Sequence, residues 1–460
     1  MTNKTFRLLP VAVICAATFS AQAADANSEK RIEALEHQVK LLEAQKSSSM
    51  ADKISFNGFA SVIMQVANNN HGFAYSTDKI KFDEGSLIGL QSKFAINEST
   101  SATVQLVARG TKKESWSPDI EWAFVSHQFT PNLKVRGGKL RLPLFMYSDY
   151  LEVGYAQVGV RVPTEVYGPV VVTSLTGGDF IYDIELEDST LSFQGFAGSQ
   201  KLTANKHSYN APTEFNEILG GVVNWTDDTW TLRAVYGQAK VSSDVNWNST
   251  SAALKPLGGV IANTTFDNDV AKFYGLGAQY DNGSLMLSSE LTRTEVEGFY
   301  TDVDSAYLTA AYRLNKVTPY FTVSHMRTKD NDVRNKHYAS VKGSTAKLVA
   351  EANNLKALGE KAMASGDMAK GAVLLAQAQQ KAAAAKAAGS VEGSAKAIQS
   401  TQNIQRTTYS IGARWDVMTN VALKGDVSYM TDFGDTFGGL NSESQDKTNL
   451  LYTLKVDVVF

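Results

Sequence analysis

From residue 53 onward, apolar and polar side chains alternate with a period of two, and polar turns cut the alternation into short segments. "ISFNGFASVIMQV" puts Ile54, Phe56, Gly58, Ala60, Val62, Met64 and Val66 on one side. "NLLYTLKVDVVF" puts Leu450, Tyr452, Leu454, Val456, Val458 and Phe460 on one side, with Lys455 and Asp457 on the other. Between them the pattern predicts strands near 86–96, 102–110, 119–129, 133–140, 179–187, 190–198, 216–226, 230–241, 270–281, 284–295, 304–314, 317–327, 406–416 and 421–430. With 53–67 and 449–460 this makes sixteen. Most lie near the ~9–11 residues that a tilted strand needs to cross a bilayer.

A strand with one apolar face suits a soluble sandwich or a barrel in lipid, and the connections favour the barrel. "NESTS", "TPN", "EDST", "TDDT", "DNG", "LNK" and "MTN" are tight turns, and they alternate with longer polar loops. Of the eight prolines after residue 23, seven fall in connections; Pro319, inside 317–327, is the exception. Arg109, Arg136, Arg233, Arg313 and Arg414 share the parity opposite the apolar stripe, as do Lys93, Lys424, Asp426, Lys455 and Asp457. An Arg or Lys facing lipid at the midplane costs about 2–4 kcal/mol, so this parity is the lumen side. Phe129, Trp225, Trp230 and Phe460 lie beside the short turns or the last strand, where an aromatic girdle belongs.

The N-terminal pattern is different. Lys4 and Arg7 precede an apolar run from Leu8 to Phe19 and then Ala21-Gln22-Ala23, which reads as a secretory signal peptide over 1–23. The single cysteine, Cys15, lies inside that run, with Ile14 before it, so a lipoprotein site is not indicated. In 24–52, Ile32, Leu35, Val39 and Leu42 repeat with 3-4-3 spacing, the seam of a short periplasmic coiled coil. Without Lys4 and Arg7, 42 Lys and Arg stand against 47 Asp and Glu, a formal charge of −5. That mildly acidic balance speaks against a nucleic-acid partner. His37, His71, His127, His207, His325 and His337 are scattered, and no pair has metal-ligand spacing, so neither a metal, a cofactor nor an enzyme is expected.

The external connection after the fifth strand, Arg141 to Gly178, is long and rich in Tyr, Val and Leu. A segment this apolar needs something to pack against, and a sixteen-stranded barrel has a lumen to receive it. The chain from Ile54 to Phe460 resembles the Gram-negative porin superfamily, the sixteen-stranded diffusion porins. The resemblance rests on strand count, loop position, "RGGKLRLPLF" leading into the loop, and the terminal aromatic. It implies an all-β transmembrane barrel in the outer membrane, narrowed by its third external loop, homotrimeric, and embedded among lipid and lipopolysaccharide. It also implies that the barrel-assembly machinery reads Phe460. Carried over, the loop carboxylates are Asp149, Glu152 and Glu165, and the basic wall facing them is Lys93, Arg109 and Arg136. Opposed charges across a narrow waist set ion preference. Arg141 and Arg161 in the same loop leave its sign open.

The connection 328–405 departs from the porin pattern. Its Ala-, Lys-, Leu- and Gln-rich centre, broken by "ASGD", predicts an external helical hairpin near 345–365 and 367–388. The expected function is passive diffusion of small hydrophilic solutes. The alternatives are a channel specific for sugars or oxyanions, or an adhesin or tether working through 328–405. Phe59, Phe196, Tyr307 and Tyr320 are too scattered to mark a sugar track.

Overall fold

The computed structural model describes residues 53–73, 76–111, 115–203, 212–243, 266–298, 300–440 and 447–460. The signal peptide and the coiled-coil seam Ile32, Leu35, Val39 and Leu42 lie outside these residues. Sixteen strands form one closed antiparallel barrel in which sequence neighbours pair and the last strand returns to the first. They are β1 Ile54–Ala67, β2 Leu87–Ala95, β3 Thr100–Arg109, β4 Pro118–Thr130, β5 Leu133–Arg141, β6 Ser174–Glu185, β7 Thr190–Leu202 and β8 Thr213–Thr226. The second half comprises β9 Trp230–Ser243, β10 Phe266–Asp281, β11 Leu285–Val296, β12 Val303–Tyr312, β13 Val317–Thr328, β14 Gln405–Met418, β15 Val421–Thr431 and β16 Asn449–Val459.

Closure gives every strand two neighbours, the condition for backbone amides to survive in lipid. At the seam β16 pairs with β1 in the register Phe59↔Val459 and Val62↔Val456. Gly58 and Phe460 exchange both backbone hydrogen bonds, at 2.7 and 2.9 Å. A Cβ on Gly58 would stand 2.2 Å from the Phe460 ring, so only glycine leaves that ring its place. Val62, Leu276, Leu291, Leu308, Ile411 and Leu454 point outward and exposed, while Ser61, Gln65, Thr453, Lys455 and Asp457 are buried inside. In the turns "LNK" and "MTN", Asn315 and Asn420 take left-handed φ values of 60° and 64°, which asparagine tolerates. Pro319 sits in β13 opposite Ala413, and the strand runs through it.

Several strands start or end a few residues from the sequence reading, and two differences bear on the loops. The sixth strand begins at Ser174, not near 179, so the inward loop is 142–173. The hairpin is longer than expected: α2 runs Asn331–Ala364 and α3 Met368–Gln402, while α1 is the short helix Thr164–Tyr167 inside the loop. Polar, glycine-containing stretches hid its ends. Packing extends it, because Val341 lies buried with Ala388, Val391 and Ala395.

At the root, the fully buried Arg334 holds Asp330 at 2.7 and 2.9 Å, Asn403 at 2.5 Å and the Tyr300 carbonyl at 3.2 Å. Arg334→Ala takes the guanidinium from the Asp330 carboxylate and the Asn403 carbonyl oxygen, a change costing about 3–5 kcal/mol where such pairs are buried. Hydrogen exchange of the first turns of α2 and the last turns of α3 should accelerate, with the barrel still heat-modifiable. Unchanged protection there would show that the helices are not held by this residue.

Candidate functional site

The loop enters the lumen and is fastened by different forces on different sides. Toward β7–β10 the attachment is apolar: Leu142, Leu144, Phe145, Val166 and Val172 bury against Phe196, Phe215, Ile218, Val235 and Phe273. These wall strands are apolar on both faces here, and each large side chain so covered contributes about 1.5–3 kcal/mol. Next to it the contacts are phenolic. Tyr147 Oη lies 2.7 Å from Ser288 Oγ, the Met146 amide donates to Glu290 at 3.0 Å, and Tyr167 donates to the same carboxylate.

Toward β13–β16 and β1 the attachment is ionic and polar. Helix α1, Thr164–Tyr167, presents Glu165, which is fully buried. Its carboxylate accepts from Arg406 Nε at 2.6 Å, Thr408 Oγ1 at 2.6 Å and Ser324 Oγ at 2.7 Å. Arg161 donates to Thr453 at 2.7 Å and Gln65 at 3.2 Å. Lys424 donates to the carbonyls of Gly154 and Gln157 at 2.7 and 2.6 Å and pairs with Asp457 at 2.8 Å. Arg414 reaches the Tyr155 and Gln157 carbonyls at 2.5 and 3.0 Å. Tyr320 accepts from the Val160 amide, so of the scattered lumen aromatics Phe196, Tyr307 and Tyr320 serve as loop anchors.

What stays open lies toward β2–β5. A chamber of about 310 Å³ is lined there by Lys93, Trp122, Phe124, Lys134, Arg136 and Asp149, with Gln91, Ser101, Thr103, Ser126 and Arg141 completing the wall. The structure thus brings Asp149, Lys93 and Arg136 around one space. The other three residues named from the sequence are placed differently. Glu152 does not face a cationic wall across a gap. It is in direct contact with Arg109, at 3.0 Å, and with Arg141. Glu165 is turned to β13 and β14, away from Lys93 and Arg136.

Pairing leaves few free charges beside the chamber. Arg109 and Arg141 share Glu121 as well as Glu152, and Arg136 is paired with Asp179 at 2.5 Å. Among the described residues, the side chains of Lys93, Lys134 and Asp149 form no hydrogen bond or ion pair with another side chain. Lys134 shares a parity with Arg136, so the alternation could have revealed it. Glu121 could not be found this way. A bulge opposite Gln105 and Leu106 adds one residue to β4, so Glu121 and Trp122, adjacent in sequence, both turn inward.

Burial opposes ionisation of Glu165, but Arg406 and the hydroxyls of Thr408 and Ser324 outweigh it and hold the carboxyl below its ordinary value. A lowered carboxyl stabilises the folded loop above its unfolded titration range, and that contribution is lost as pH falls through the folded value. Loop anchoring should therefore hold across neutral pH and weaken only below the ordinary carboxylate range. Channel noise recorded against pH checks this, and an onset near neutrality would assign the opening to another group.

A closed sixteen-stranded barrel with an apolar outer face and an inward third loop is a transmembrane barrel of the porin fold. The chain is similar to an anion-selective porin from Comamonas acidovorans, with a TM-score of 0.50 and 11% identity over 88% of this chain and 99% of that one. It is similar as well to Salmonella typhi OmpF in complex with daunomycin, at TM-score 0.50 and 11% identity over 88% and 97%. At that identity the likeness bears on fold alone. No protein-family model and no curated protein sequence matches the chain.

Proposed function

We propose that the protein is a porin through which small hydrophilic solutes and ions diffuse passively, by way of the passage beside β2–β5. The supporting observation is the loop anchored on the other sides of the lumen, with a polar chamber left beside Lys93, Lys134 and Asp149. No bond is made or broken in this reading; selection follows from width and field. Two free ammonium groups against one free carboxylate favour anions mildly. The loop carboxylates Glu152 and Glu165 are neutralised by their arginines. The reading carries with it a homotrimer in lipid and lipopolysaccharide, delivered by the assembly machinery through the Phe460 strand.

Planar-bilayer recording tests it. The purified barrel should conduct in potassium chloride, with a reversal potential in a salt gradient on the chloride side of zero selectivity. Lys93→Gln with Lys134→Gln should move that potential toward potassium. A folded, heat-modifiable protein that inserts without conducting would sink the channel reading. Conductance with no response to the two lysines would sink only the anion preference. The tether reading draws its support from the hairpin α2–α3 alone.

A further inference from the structure

Residues 331–402 carry ten Lys and Arg against five Asp and Glu, a net +5, in a chain of net −3. The remainder of the chain therefore has a net charge of −8, so the positive charge is concentrated in the hairpin. Ion pairing does not remove it. Lys336 pairs with Asp332, Lys356 with Glu360 and Lys381 with Glu351, while Arg334 is consumed at the root. Asp367 caps α3 through the Lys370 amide. Lys342, Lys347, Lys361, Lys370, Lys386 and Lys396 are exposed and form no ion pair among the described residues.

Their spacing says what kind of ligand they suit. At 1.5 Å per residue, Lys370 to Lys396 spans about 40 Å, and each helix about 50 Å. The six ammonium groups are spread along that length and make no pocket, so a small ion gains little from any one of them. Successive ones lie roughly 8–24 Å apart along each helix, so only an extended polyanion can meet several of them at once. The intervening surface is largely small, with Gly343, Ala346, Ala350 and Gly389 exposed, and leaves the lysines unobstructed. Gly359 and Gly371 let the two helices approach: a Cβ on Gly371 would stand 2.6 Å from Met363 Cγ. The result is a closely packed helical pair held at its root by Arg334. As the connection between β13 and β14 it lies on the external side, where the outer leaflet is a phosphorylated glycolipid.

We propose that the hairpin α2–α3 is a docking surface for the phosphorylated saccharide of lipopolysaccharide, held by Lys342, Lys347, Lys361, Lys370, Lys386 and Lys396 through charge. The contact anchors the external end of the barrel in the surface glycan layer. It is independent of what passes through the lumen.

The test uses the full-length protein in detergent and purified lipopolysaccharide, with dephosphorylated lipopolysaccharide and neutral dextran as comparison ligands. Binding should weaken steeply as salt rises, and the six lysines changed together to glutamine should lower affinity by at least about tenfold at low salt. Glutamine keeps helix propensity, and circular dichroism verifies that the helices remain. A second variant replaces 335–399 by a short Gly-Ser linker, and it should lose the same increment with the barrel intact. Dephosphorylated lipopolysaccharide should bind no better than dextran. Equal affinity of the wild-type and glutamine proteins, or full binding of the dephosphorylated ligand, overturns the proposal.

Discussion

Replacing residues 147–167 by a short Gly-Ser linker should raise single-channel conductance severalfold and admit larger solutes, with the barrel still assembling. The segment lies inside the barrel and carries the contacts to Ser288, Arg406, Thr453, Lys424 and Arg414. A sixteen-stranded barrel without it leaves an aqueous channel. The wall groups it releases are not stranded, because water floods in and solvates Arg406, Lys424 and Arg414. Glu165→Leu is predicted to be the more damaging change, although it alters one residue. The loop stays in place, Arg406 stays buried without its carboxylate, and losing one partner of such a pair costs about 3–5 kcal/mol. Conductance with solute-exclusion sizing, together with thermal stability of both variants, decides the matter. A trimmed channel conducting as before would place the narrowing elsewhere and deprive Asp149 of its role.

Glu152→Gln should shift ion preference strongly toward anions. Glu152 lies in contact with both Arg109 and Arg141, which also share Glu121, and its neutralisation takes one negative charge from that cluster. The change in charge falls beside the chamber bounded by Arg141 and Asp149. A unit charge acts on an ion 4 Å away with about 1 kcal/mol in water, roughly a fivefold change in relative permeability. The reversal potential in a potassium chloride gradient reads this directly. Asp149→Asn should shift it in the same direction, because Asp149 is the free carboxylate there. A move toward potassium in either variant would contradict the pairing.

The alternation of apolar and polar positions carried most of the fold. Sixteen strands, their lumen-facing arginines, the seam between β1 and β16 and the inward loop were all legible, because a membrane barrel imposes one rule on every strand: apolar to lipid, polar within. Lys93 and Arg136 were legible as inward-facing on the same rule and Asp149 as a loop residue, and the structure places the three around one chamber.

The pairing of those charges was decided only in three dimensions. Parity cannot say that Glu152 meets Arg109, forty-three positions away, or that Glu165 meets Arg406 across the lumen. Nor can it survive the bulge in β4, where one extra residue reverses the rule and turns Glu121 inward. A periodic signal reports which side a residue faces. Which charge neutralises which depends on distance across the barrel, and that is set by closure of the sheet and by the path of the loop inside it.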